Sequence, residues 1–364
     1  MRKKRIFIIA AIVFLVVFGR LFFEGLKLSP VFFQFLFSRE IELKKTDERM
    51  GVLILGVGGE RHEGPLLTDT IIYASIDPAK KKIALLSLPR DFWVPDLKAK
   101  INTAYAYGEG KRKGGGIILS KAVVEKVLAQ PVDYVVRVDF KGFVKAIDML
   151  GGIEVDVERE FDDYEYPVAG KETDACGFEG EEFEKRATAS AALEAFPCRY
   201  MHLRFEKGRQ PMDGETALRF VRSRHAIGVE GTDFARSKRQ EKVIEAVKTK
   251  LFSLGTFLNP FKLTSLYDIF RDSIDTDIKQ SEYDDFIRLF QKIKDAQIKS
   301  IVFFFTSKDS EESALLINPP TSDEYEGQWV LIPKAGNGNF SEVQKYVECE
   351  MENEDCKINS SPTP

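Results

Sequence analysis

A layered α-β-α domain with a central mixed β-sheet, preceded by an N-terminal transmembrane helix, is the α/β architecture this sequence predicts. Three observations carry it. Short apolar runs alternate with segments of helical periodicity between Gly51 and Val157, the rhythm of strands and helices in one layered sheet. Those runs lead into glycine or into chemically active residues, as Gly56 and Pro89-Arg90-Asp91 show, and α/β folds place their sites at such strand ends. Finally, basic Met1–Arg5 opens onto the apolar or small stretch Ile6–Gly19, which continues past Arg20 as Leu-Phe-Phe.

The 364 residues suffice for one large or two ordinary domains, and 44% hydrophobic with 30% charged residues describes a globular chain. A formal net charge of −4 argues against a nucleic-acid partner, because positive charge acts only locally here. Ile6–Phe23 spans 18 residues, the short end for a membrane helix, with Arg20 able to snorkel. A cleaved signal peptide is the rival, but no small-x-small site follows the apolar run. The expected topology is single-pass in the cell membrane, with Met1–Arg5 cytoplasmic and the body outside. Val31–Phe37 suits either the membrane interface or a core helix. Residues 1–45 therefore read as stub, anchor and juxtamembrane segment, 46–333 as the extracytoplasmic domain, and 334–364 as a tail.

Taken in order, Gly51–Gly56 (GVLILG) reads as a buried strand feeding a loop with Gly58, Gly59 and Gly64, which matches no nucleotide-binding fingerprint. Ile71–Ile76 and Lys82–Leu88 form a hairpin across Asp77-Pro78. After Ala104–Tyr107 the stretch GEGKRKGGG reads as a flexible basic loop. Ile117–Leu128 is expected to be helical, Asp133–Val138 a strand, Phe140–Leu150 a helix stopped by Gly151-Gly152, and Ile153–Val157 a strand. Residues 158–212 break this rhythm and read as an acidic, irregular excursion. Leu263–Phe270 and Tyr283–Ile293 read as helices and Ile298–Phe305 as a strand.

The four cysteines fall into two local pairs, Cys176 with Cys198 and Cys349 with Cys356. Export permits disulfides. A zinc site is the alternative, but there is no C-x-x-C and the three histidines are scattered.

Ala217–Gln240 (ALRFVRSRHAIGVEGTDFARSKRQ) is the chemical centre. Asp213 is placed to cap a helix on which Ala217, Leu218 and Val221 share a buried face. Asp233 reads as the N-cap of a second helix, near whose positive end Arg236, Arg239 and Gln240 share a face. With Arg222 and Arg224 on the other side of the Gly228–Gly231 loop, two arginine groups could converge on a phosphate or diphosphate. The competing reading is a solvated charged face.

The ordered pieces GVLILGVGGE…LTDT, LLSLPRD, KINTAYAYG, VDYVVRVDFKGFVKAIDMLGGIEVDV and ALRFVRSRH…DFARSKRQ resemble the LytR–CpsA–Psr (LCP) family over about residues 51–252. The resemblance implies a phosphotransferase that moves a glycopolymer from a polyprenyl-diphosphate carrier at the membrane lipid to a peptidoglycan hydroxyl. Polyprenyl-diphosphate pyrophosphatase activity, or a non-catalytic envelope regulator, are the alternatives. It further implies Asp69 as a carboxylate for Mg²⁺, with Mn²⁺ as an alternative, and Arg90, Arg222, Arg224 and Arg236 around the diphosphate. Asp233 would orient or deprotonate the acceptor hydroxyl, while Lys100, Arg239 and Gln240 would line the substrate site. A greasy cleft in the sheet–helix core would take the carrier lipid. The chain departs from the family pattern at Gly56-Val57-Gly58, where many members have an acidic residue at the third position. Glu60, Glu63 or the diphosphate oxygens would then complete the metal shell.

Overall fold

The computed structural model describes residues 41–46, 48–59, 64–189, 192–251, 273–303, 305–306, 314–352 and 356. No helix among them is long and apolar enough to cross a membrane. The expected anchor, residues 1–40, the 263–270 helix and Glu60 and Glu63 lie outside the described residues.

The main sheet uses β1 (Met50–Val57), β2 (Thr68–Asp77), β3 (Lys82–Ser87), β4 (Tyr134–Asp139), β9 (Ile274–Thr276) and β10 (Gln297–Val302) in the order β9-β4-β1-β2-β3-β10. It is mixed: β1 runs parallel to β4 and antiparallel to β2, and β3 runs parallel to β10. Alternation along each strand sends side chains to two faces. Leu53, Leu55, Ile71, Tyr73, Leu86 and Val135 form one core with helices α1 (Ala104–Lys111), α2 (Gly115–Leu128) and α8 (Ser341–Glu352). Val52, Ile72, Ile76, Leu85 and Tyr134 form another with α7 (Tyr283–Lys292), against which Ile244 of α6 (Asp233–Leu251) also packs. The result is an α-β-α sandwich.

A third core lies beyond the sheet. It joins α3 (Phe140–Leu150), α5 (Gly214–Arg222) and α6 to two β-ribbons. One ribbon pairs β5 (Ile153–Val157) with β8 (Gly208–Met212), the other β6 (Phe161–Pro167) with β7 (Tyr200–Phe205). Residues 158–212 are thus less irregular than the sequence reading held. Phe161, Tyr166, Leu203 and Phe205 are buried against Ala217 and Phe220 of α5. Helix α4 (Gly180–Ala187) has no buried residue, and Cys176 bonds to Cys198 nearby. The second expected disulfide, Cys349–Cys356, is also formed.

Two other expectations change. The basic glycine stretch is mostly helix, because Gly108 and Gly115 let α1 and α2 touch: a Cβ on Gly108 would lie 2.2 Å from the Gly115 carbonyl oxygen. The segment after Leu331 is not merely a tail, since α8 buries Val343 and Val347 in the first core.

Gly51 on β1 faces a similar restriction, with a Cβ falling 2.0 Å from the Pro131 carbonyl oxygen and 2.8 Å from the Tyr73 hydroxyl. Gly51→Ala is expected to cost about 3 kcal/mol through overpacking, measurable as a lower urea midpoint. A midpoint equal to wild type would refute that account.

Alkaline pH offers a second check. Tyr73, Tyr105 and Tyr134 are fully buried. Burial, reinforced by Asp133, Asp275 and Glu282 respectively, pushes these phenols well above their ordinary range. The folded state therefore keeps protons that the unfolded chain releases above pH ~10. Stability is intact below that pH and falls above it, by about 1.4 kcal/mol per pH unit for each phenol. Denaturation midpoints at pH 8 and pH 11 check the slope, and a flat profile would exclude it.

Candidate active site

The site forms at the edge of the sheet where β1, β3 and β4 end and β2 begins. Gly56 lies opposite Thr70, and a Cβ there would sit 3.0 Å from the Thr70 Cβ, so glycine allows this close pairing. Val57 pairs with Asp139 on the other side. Gly59 then turns with φ +80°, a conformation that suits glycine.

A ladder of alternating charge runs along this edge. Arg90 Nη1 donates to Asp69 Oδ1 at 2.6 Å, Arg90 Nε lies 3.5 Å from Asp91 Oδ2, and Lys100 Nζ donates to Asp91 Oδ1 at 2.8 Å. Burial disfavours the Arg90 cation, but the bond to Asp69 and the charges of Asp69 and Asp91 outweigh it and raise its pKa. Asp69 and Arg90 are each 37% exposed at the side chain, so the pair is pre-formed yet open to a ligand. The buried Thr68 hydroxyl donates to the Asn102 carbonyl at 3.2 Å. The Asn102 side-chain oxygen is buried without a hydrogen-bond partner.

Across β1 stands the arginine loop. Asp213 caps α5, accepting from the Thr216 N–H at 2.8 Å. Arg222, in the last turn, lays its guanidinium over the Phe140 ring at 4.2 Å and reaches the Tyr166 hydroxyl at 3.4 Å. Phe140 directly follows Asp139, so Arg222 belongs to the same edge as Asp69 and Arg90. Arg224 follows two residues later, Arg236 and Gln240 stand on α6, and all three are half-buried.

Two readings require correction. Thr232, not Asp233, caps α6: its hydroxyl accepts from the Ala235 N–H at 3.2 Å, and Asp233 is the first helical residue. Arg239 is taken up mainly by the chain itself, although it also borders the cavity described below. It is 4% exposed and donates to the Phe220 carbonyl at 3.0 Å, the Ser223 carbonyl at 2.7 Å and the Glu230 carbonyl at 2.8 Å, with its guanidinium over Phe161. Burial pulls its pKa down to about 10. The helical face it shared on paper with Arg236 and Gln240 is therefore split, because the α5–α6 loop folds back over it.

Sequence reasoning missed Asp163. It lies inside β6, 0% exposed, and its Oδ2 accepts from Ser223 Oγ at 2.6 Å and from the Arg224 and His225 N–H groups at 3.2 and 3.3 Å. The available signal was a carboxylate in a strand at a position whose neighbours Phe161 and Tyr166 are apolar-faced. A cavity of about 350 Å³ opens behind this loop, lined by Phe161, Phe220, Phe234, Lys238 and Lys242 among others. Phenyl rings and lysine side chains share its lining.

An α-β-α sandwich with Asp69, Arg90 and Arg222 at one end of its central sheet defines the class of protein, and the chain belongs to the LytR_cpsA_psr family, whose model matches residues 34–324. Among its relatives, polyisoprenyl-teichoic acid–peptidoglycan teichoic acid transferase TagV of Bacillus subtilis (strain 168) is 27% identical over 249 residues, covering 66% of this chain and 52% of TagV. The chain thus matches about half the length of that relative. TagU of Enterococcus faecalis (strain ATCC 700802 / V583), with the same transferase name, is 26% identical over 265 residues, covering 70% of this chain and 72% of TagU. The crystal structure of B. subtilis TagV superposes with a TM-score of 0.53 at 22% identity, over 85% of this chain and 99% of that one. TagT bound to LI-WTA superposes with a TM-score of 0.51 at 22% identity, over 84% and 93%. These superpositions establish the shared fold.

Proposed function

We propose that this protein is a phosphotransferase that moves a glycopolymer from a polyprenyl-diphosphate carrier to a peptidoglycan hydroxyl, outside the membrane that its N-terminus anchors. The observation that carries this reading is the Asp69–Arg90 pair, open to solvent and sharing its sheet edge with Arg222. The names of the relatives support the substrate class.

In this reading Arg90, Arg222, Arg224 and Arg236 bind the diphosphate and neutralise charge that develops on its bridging oxygen. The acceptor oxygen attacks the sugar-side phosphorus, the bond to the bridging oxygen breaks, and polyprenyl monophosphate leaves. Asp233, at the head of α6, takes the hydroxyl proton. Lys100 holds Asp91, and Asp91 flanks Arg90, so the ladder keeps Arg90 aimed. Gln240 lines the far side.

Asp69 offers a half-exposed carboxylate beside the diphosphate-binding arginine, an oxygen donor of the kind Mg²⁺ or Mn²⁺ selects. With no carboxylate at Gly58, the metal would be held by Asp69, substrate oxygens and water. Bound there, it would supply Lewis-acid stabilisation of the phosphoryl oxygens.

The test is full-length protein in detergent micelles with a polyprenyl-diphosphate-linked saccharide and peptidoglycan oligomers. Saccharide attached through a phosphodiester is the expected product. Lipid monophosphate without attachment would identify a pyrophosphatase, and neither product with ligand still bound would identify a non-catalytic regulator. Chelation by EDTA is expected to stop transfer, and Mg²⁺ to restore it; transfer unaffected by EDTA would refute the metal.

A further inference from the structure

The α5–α6 loop is gripped from both sides of one peptide bond. The Ser223 carbonyl accepts from the Arg239 guanidinium at 2.7 Å, while the Arg224 N–H that follows donates to Asp163 Oδ2 at 3.2 Å. Cation on the carbonyl and anion on the N–H match that peptide's dipole. The same Oδ2 also takes the Ser223 hydroxyl and the His225 N–H, and the other oxygen accepts from the Glu165 N–H at 3.0 Å.

Strand β6 is shaped for this grip. Its register with β7 shifts between Asp163 and Tyr166, and such a bulge re-aims side chains. Within this short segment Asp163 holds the backbone of Ser223–His225, Glu165 comes within 3.7 Å of His225, and the Tyr166 hydroxyl meets Arg222. Asp163 further pairs with Ala226 as an antiparallel bridge, and the Ile227 N–H donates to the Asp162 carbonyl at 2.9 Å. Loop residues 223–227 are thus docked as an extra edge on β6.

We propose that Asp163 is the positioning residue that sets the direction of Arg222 and Arg224, acting through the loop backbone and the Ser223 hydroxyl. At 0% exposure it touches no substrate. A buried carboxylate with four donors is costly to disturb, so the strand carries a stiff template for the arginines. This rests on the reading that Arg222 and Arg224 contact a diphosphate. Near-attack geometry is sensitive at the ångström level, and Asp163 controls it from beneath.

The test uses full-length protein, magnesium-supplemented inorganic diphosphate as the probe, and calorimetric affinity for wild type, Asp163→Asn, Arg224→Ala and the double variant. Asn preserves shape and can turn its carbonyl towards the loop, losing charge and one acceptor. Asp163→Asn is expected to weaken affinity about tenfold and to lower transfer by about 100-fold, with a lowered thermal midpoint, so affinity is read well below the midpoint of every variant. The double variant should lose less affinity than the two single losses combined, because the part of the Asp163 effect carried by Arg224 is already gone in Arg224→Ala. Full additivity, or wild-type affinity in Asp163→Asn, overturns the proposal. If Asp163→Asn does not fold, the Ser223→Ala cycle with Arg224→Ala, which deletes only the hydroxyl donor, decides on the same criterion. Wild-type protein that fails to bind diphosphate would instead overturn the underlying reading, and the positioning role with it.

Discussion

Arg90→Ala is expected to lower transfer by about 10²–10³-fold, the loss typical when one preorganised donor to developing charge is removed. The fold should survive. Arg90 is half-exposed and its ion pairs are with half-exposed or partly exposed carboxylates, and such pairs contribute roughly 0–1 kcal/mol. Arg90→Lys should fall almost as far, because a single ammonium cannot both hold Asp69 and present a planar fork to a diphosphate. Turnover measured beside a melting curve separates the two effects. A variant that melts like wild type and transfers at more than a tenth of its rate would exclude Arg90 from the chemistry.

Arg239→Ala should do the reverse, acting on stability first. Its removal leaves the Phe220, Ser223 and Glu230 carbonyls short of a donor and Glu230 without its cation. Losing one partner of a buried charged network costs about 3–5 kcal/mol, or roughly 10 °C in thermal midpoint for a domain of this size. Arg239→Lys should recover only part, since one ammonium cannot span three carbonyls. An Arg239→Ala protein with an unchanged midpoint but weakened diphosphate binding would restore the substrate role that its burial argues against.

These two arginines show how far a linear reading reaches. Arg90 stands in Pro-Arg-Asp and Arg239 in Ser-Lys-Arg-Gln, and the sequence reading set both at the substrate. Arg90 follows a strand that ends at an open sheet edge; Arg239 lies in the second turn of α6, under the loop that closes over it. Helix and strand limits were legible where pattern and punctuation agreed, as at Phe140–Leu150, stopped by Gly151 in the left-handed region, and at Ile153–Val157. They were not where glycine served packing between helices, as at Gly108 and Gly115. Asp163 escaped notice because its partners lie some 60 residues away, at Ser223 and beyond.

The sequence by itself determined the α/β class, the run of strands and helices, the family and the set of charged residues from which a site could be built. Each follows from local periodicity, turn chemistry or motif order. Tertiary structure alone decided which charges face a ligand and which brace the chain. That choice depends on burial and on the hydrogen-bond partners that distant strands supply, and desolvation makes a guanidinium either a binding group or a girder according to where the backbone carries it.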